Sequence, residues 1–225
     1  MNSEFWINWL QKFNRLMWPA IVATIRMMSI SMILATILSF IIAIILVMTN
    51  PTKGLRPCKW VHSTLSFIVN TVRSFPFIVL IVAIAPVTRL VMGTMIGEAA
   101  AIFPLTVGGA PFMARIIENA LLDVDPQLIE AAKACGASDL QIVLKVMLRE
   151  AIPSVINGST LCAINFLKST TMAGAVGAGG LGSVALNYGF YSFNYSVLYT
   201  GVILLLVMIQ AIQLFGDYLY KHSIK

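Results

Sequence analysis

The chain has 225 residues, 59% of them hydrophobic and 11% charged. So few charges cannot cover a soluble surface of this size, which excludes a water-soluble globular domain and leaves a multispan, all-α membrane protein. The net charge of +6 invites a nucleic-acid reading, but no basic run or basic helix face interleaved with aromatics occurs, and membrane orientation accounts for the excess.

A transmembrane helix needs about 20 predominantly apolar residues. Residues 1–19 come before any such block and carry Trp6, Trp9 and Trp18 with Lys12 and Arg15 among them, which predicts an interfacial N-terminal segment. No A-x-A-like cleavage site follows, so the first block is expected to be retained. Five spans are predicted, near 20–48, 61–86, 96–121, 152–173 and 196–219, followed by a short tail at 220–225. Lys53, Arg56, Lys59, Lys133, Lys145, Arg149, Lys221 and Lys225 fall on one side of these spans, against Lys12, Arg15 and Arg89 on the other. The first side is therefore expected to be cytoplasmic, with the N-terminus outside and the C-terminus in the cytoplasm.

Arg26 lies near the outer end of the first span, from which its long side chain can snorkel to water. Asn50-Pro51-Thr52-Lys53-Gly54 ends that span with turn chemistry. The second block carries Asn70, Arg73 and Pro76. Pro76 frees the carbonyl of Val72 and should bend the helix; Arg73 either donates to that carbonyl or lines a pathway. In the third block Pro104 and Pro111 bracket Gly108-Gly109, giving a weak helix that close packing must hold. Arg115 and Glu118, at i and i+3, can pair.

Residues 125–150 form the one long polar interruption between apolar blocks. Asp125 is placed to cap a helix with Pro126 at its first position. Gly136 ends it, and Ser138 to Gln141 has the capping-box spacing that starts another. Leu140, Val143, Leu144 and Met147 at i, i+3, i+4, i+7 predict one apolar face, with Gln141, Lys145 and Arg149 on another side. Ala131, Ala132 and Ala134 let another surface approach closely, so a docking hairpin is expected.

In the fourth block Lys168 is costly in a bilayer. It either snorkels, pairs with Glu98, or faces a pathway and attracts a substrate carboxylate. Gly174, Gly177, Gly179, Gly180 and Gly182 follow. Three of them spell G-x-G-x-x-G, but no preceding strand is predicted and the next acidic residue is Asp217, so no dinucleotide site is expected. The tract Tyr188, Phe190, Tyr191, Phe193 and Tyr195 suits a membrane interface. Cys58, Cys135 and Cys162 lack metal-site spacing, and His62 and His222 belong to no catalytic motif. No P-loop occurs, so any ATPase must be a separate chain, and no catalytic or metal-ligating residues are expected.

Glu130-Ala131-Ala132, Gly136 after three intervening residues, and the apolar run closing at Ile152-Pro153 resemble the EAA loop of ATP-binding-cassette importer permeases. VRSFPFIVL resembles the Arg-x-x-Pro stretch of amino-acid importer permeases, and MAGAVGAGGLG the outer loop of the methionine type. The resemblance implies a type I ABC importer permease domain over 20–219, a homodimer with its pathway between the copies, and a bacterial inner-membrane location. It also implies two ATP-binding-cassette ATPase subunits holding ATP and Mg, an external substrate-binding lipoprotein, and methionine as substrate. The implied coupling residues are Glu130, Ala131, Ala132, Gly136, Leu140 and Leu144. A permease for another amino acid, or a secondary transporter without an ATPase, is the alternative.

Overall fold

The computed structural model describes residues 13–224. The described residues are helical and contain no strand. They form α1 (Trp18–Thr49, preceded by a π-helical turn at Phe13–Met17), α2 (Lys59–Ser74), α3 (Phe77–Ala83), α4 (Ala85–Met92) and α5 (Glu98–Leu122). These are followed by α6 (Pro126–Ala134), α7 (Asp139–Gln141), α8 (Leu148–Ala175), α9 (Gly180–Val184) and α10 (Tyr195–Ser223). Most of the expected interfacial segment, residues 1–12, lies outside the described residues.

Three helical stretches are long and apolar enough to cross a membrane, Phe13–Thr49, Glu98–Leu122 and Tyr195–Ser223; α2 and α3 make a fourth if counted together. The predicted block 61–86 is thus not one straight helix. The chain bends by 106° between α2 and α3. Proline forces the residue before it into an extended conformation, and Phe75 has ψ 132°. The Val72 carbonyl freed by Pro76 accepts from the Phe75 N–H at 3.3 Å. Arg73 is therefore not needed to satisfy it. At 28 residues α8 is long enough to span, about 42 Å at 1.5 Å per residue. Asn157, Asn165, Lys168 and the hydroxyl residues around them make it too polar to join the apolar set. In contrast, α5 runs unbroken through Pro104 and Pro111.

The chain divides into two compact units, each drawn from three stretches. The first unit takes in described residues 13–33, 76–107 and 163–212. Its core joins Met17, Ala20, Leu181, Val184 and Val197. Thr24 is buried there: its hydroxyl donates to the Ala20 carbonyl and accepts from the Leu181 N–H, both at 2.9 Å. Thr24→Val keeps the shape and strands that N–H, at a cost of about 1–3 kcal/mol. We expect a lower thermal unfolding midpoint in detergent; an unchanged midpoint would refute the role of this bond. Arg26 does more than reach water, because it pairs with Glu98 at 3.3 Å. Glu98 therefore has Arg26 as its partner, and the pairing of Lys168 with Glu98 is not formed.

The second unit takes in 34–75, 108–162 and 213–224. Its core brings Val47 of α1, Met113, Ile117 and Leu121 of α5, and Cys162 of α8 against Ile142, Val143 and Met147. Small residues allow helices to approach closely in lipid. A Cβ on Gly216 of α10 would collide with the Thr160 side chain, so α8 and α10 meet where only glycine fits.

Candidate functional site

The segment 125–150 folds by its own local rules. The Asp125 carboxylate accepts from the Gln127 N–H at 2.9 Å, with Pro126 opening α6. Gly136 ends the helix at φ +77°; its N–H donates to Lys133 and that of Ala137 to Ala132, which are the paired bonds of a Schellman cap. Ser138 and Gln141 then form a reciprocal capping box, with the Ser138 N–H donating to Gln141 Oε1 at 2.9 Å.

Beyond the cap the structure departs from the predicted α-helical phase. Ile142–Met147 is π-helical and runs straight into α8. A π turn closes its hydrogen bonds at i→i+5 and so changes which residues share a face. Ile142, Val143 and Met147 are buried, whereas Leu140 and Leu144 are 54% and 43% exposed. The expected face Leu140, Val143, Leu144, Met147 is therefore split. Glu130, Ala131 and Gly136 are also exposed, and Ala132 is half-buried. The six residues for which the resemblance implies a coupling role thus lie on one short hairpin, on which Leu128, Leu140 and Leu144 are left uncovered.

The turn after α1 is fastened to the end of α5 by Lys53 and to this hairpin by Arg56, two contacts that sequence reasoning missed. Asn50 Oδ1 accepts from the N–H groups of Thr52 and Lys53, fixing the turn. From it Lys53 Nζ donates to the Leu122 carbonyl at 3.0 Å, and Arg56 pairs with Asp139 at 2.5 Å. In sequence Lys53 and Arg56 were visible only as orientation charges. Nearby, Arg115 pairs with the buried Glu118 at 2.6 Å and reaches the Ser66 carbonyl at 3.4 Å. His62 Nδ1 lies 3.2 Å from the Leu46 carbonyl, which can only accept, so Nδ1 carries the proton and Nε2 accepts from Ser66.

The glycine-rich stretch forms a tight corner in the first unit. Gly177, Gly179 and Gly180 have φ of +96°, +87° and +78°. A Cβ on Gly182 would lie 2.5 Å from both Cα and the carbonyl oxygen of Thr171, so side chains are barred by backbone. The Gly97 N–H donates to the Gly177 carbonyl at 2.9 Å. Beneath lies an apolar cavity of about 290 Å³, lined among others by Ile81, Thr88, Ala101, Pro104 and Val176. The sequence beyond it is not an open loop: α9 is followed by a π-helical Ala185–Phe190, on which Tyr188 and Phe190 stay exposed.

Arg73, Pro76 and Lys168 are each exposed. Arg73 belongs to the second unit and stands 5.6 Å over the Phe112 ring; Pro76 and Lys168 belong to the first. Among the described residues no group of three or more His, Cys, Asp or Glu side chains could hold a metal ion.

Residues 39–225 match the family model described as "Binding-protein-dependent transport system inner membrane component". The chain belongs to that family. Over 173 residues it is 46% identical to the "Probable D-methionine transport system permease protein MetI" of Vibrio cholerae, with 77% of each chain covered. It is 42% identical to the "Methionine import system permease protein MetP" of Bacillus subtilis, over 71% of this chain and 72% of that one. In structure it is similar to a chain of the MetNI methionine ABC transporter in an inward-facing conformation, with a TM-score of 0.90, 38% identity and 99% of both chains covered. As a binding-protein-dependent transport component it has the type I ABC permease fold. It is a multi-pass inner-membrane transport subunit.

Proposed function

We propose that this chain is the translocation subunit of an ATP-driven amino-acid importer, that its substrate is methionine in D and L forms, and that residues 125–150 receive the stroke of a partner ATPase. The observation that carries the reading is the hairpin itself: capped at both joints, tethered by Arg56, continuous with α8, and presenting Glu130, Ala131, Leu140 and Leu144 outward. The methionine transport named for the relatives supports the substrate.

In this reading the transport domain occupies 20–219. Five spans cross the membrane, built on α1, α2 with α3, α5, α8 and α10, with the N-terminus outside and the hairpin in the cytoplasm. Two copies enclose the pathway. Two ATPase subunits hold ATP and Mg, and an external binding lipoprotein delivers substrate. Arg73, Pro76 and Lys168 line the pathway, while Gly174 to Gly182 shape its outer mouth. Nucleotide binding closes the ATPase dimer on Glu130, Ala131, Ala132, Gly136, Leu140 and Leu144, and the helices joined to them shift between two access states. The nucleotide shifts that equilibrium only by the difference in its affinity for the two states.

Uptake by the reconstituted complex, measured with a panel of labelled amino acids, tests this. We expect ATP-dependent accumulation of methionine and a particle mass that requires two copies of this chain. Uptake driven by an ion gradient without the ATPase, or a single copy per active particle, would overturn the proposal.

A further inference from the structure

Within the first unit α8 has two unlike sides. Phe166, Leu167, Thr170 and Ala173 are all buried, with exposures of 3% or less. On the opposite side Asn165, Lys168 and Met172, at i, i+3 and i+7, are exposed. That side carries an amide and an ammonium, which hydrocarbon solvates poorly.

Nothing in the described chain neutralises Lys168. It makes no salt bridge, and Glu98 is paired with Arg26. Along the sequence Lys168 is the only charged residue between Glu150 and Asp217. Snorkelling to the nearer helix end meets a geometric obstacle. Lys168 lies about 10 Å before Ala175 at 1.5 Å per residue. Helical side chains lean towards the N-terminus of their helix. Its stem therefore leans away from Ala175, back along α8 towards Asn165.

We infer that this face lines a water-filled stretch of the translocation pathway and that Lys168, with the Asn165 amide one turn below, receives the carboxylate of the passing amino acid. The inference rests on the permease reading and adds the chemistry of recognition to it. The ammonium supplies charge complementary to a carboxylate, and the amide supplies a second donor. No acidic side chain shares the face, so the site reads the acid end of the substrate and not its amine. Met172, one turn above, offers an apolar, polarizable wall to the side chain that follows.

The test uses the full complex in vesicles of phosphatidylethanolamine and phosphatidylglycerol. The exposed Cys58 and Cys135 are replaced by serine, the buried Cys162 is kept, and Lys168→Cys or Met172→Cys is introduced. Reaction with an anionic, membrane-impermeant methanethiosulfonate is followed with and without nucleotide. We expect both Lys168→Cys and Met172→Cys to react, at rates that nucleotide changes; in Met172→Cys, where Lys168 is intact, L-methionine should slow the reaction about tenfold while methioninamide, which lacks the carboxylate, does not, and adding Lys168→Met should remove that protection; tenfold is within the worth of one charge-assisted hydrogen bond. Protection in Met172→Cys that survives Lys168→Met would overturn the role given to the ammonium. No reaction at either position in any nucleotide state would mean a lipid-facing surface with a lipid phosphate as the anion, and would overturn the inference. Reaction that both compounds slow equally would overturn the carboxylate assignment. ATP-driven methionine uptake by the unsubstituted complex in the same vesicles reports separately on the permease reading, and its absence would overturn that reading together with this one.

Discussion

Gly136→Val is expected to abolish most ATP-driven uptake while leaving a membrane-inserted complex that still hydrolyses ATP. Space is not the issue, because a Cβ at Gly136 would meet nothing within 4 Å. The cost comes from φ +77°, which an L-residue adopts at about 1–2 kcal/mol and a β-branched residue resists further. Relieving that strain breaks the bonds to Lys133 and Ala132, so α6 and α7 splay and the exposed Glu130 and Leu140 lose their fixed spacing. We expect at least about a tenfold fall in uptake, equivalent to ~1.4 kcal/mol of lost coupling. Gly136→Asn should retain more, since asparagine tolerates the left-handed region. Glu130→Ala, an exposed site where folding is not at stake, should uncouple without the structural change. Wild-type uptake by both Gly136→Val and Glu130→Ala would remove the hairpin from the mechanism.

Arg115→Met should produce the largest loss of stability. Glu118 is 2% exposed and its carboxylate depends on the guanidinium at 2.6 Å. Removing one member of a buried pair leaves an uncompensated charge, at a cost of about 3–5 kcal/mol. The double variant Arg115→Met/Glu118→Leu removes both charges and should regain most of the loss. Thermal unfolding of the purified chain in detergent reads both. If single and double variants unfold at the same temperature, the pair does not carry the stability assigned to it.

The contrast between what was and was not legible follows the range of the interactions. The caps at Asp125, Gly136 and Ser138 depend on residues within one turn, as does the Arg115–Glu118 pair, and each could be read from spacing. The bend at Pro76 was visible as a proline, but its size, 106°, was not, because a hydropathy window is blind to a break inside an apolar run. Leu140 and Leu144 were placed on one apolar face with Val143 and Met147 because an α-helical period was assumed. Burial of Ile142 in the second unit's core selects a π turn instead, and no local signal announces that. Arg26 and Glu98 are 72 residues apart and Thr24 and Leu181 are 157 apart, distances over which a single sequence carries no pairing information. Lys53 and Arg56 were counted for their sign, and their role as tethers depends on where α5 and α7 arrive in space.

Those tethers have a mechanical consequence. A hairpin attached only through its continuous helix into α8 would have one axis free, and a push on Leu144 would twist it and dissipate there. The ion pair with Arg56 gives it a second footing, on the turn that joins α1 to α2, and Lys53 holds that same turn to the end of α5. In the proposed stroke the second footing opposes that twist, and the same push is passed on as a displacement of the turn after α1, the end of α5 and the start of α8. The segment is built as a bracket rather than a crank.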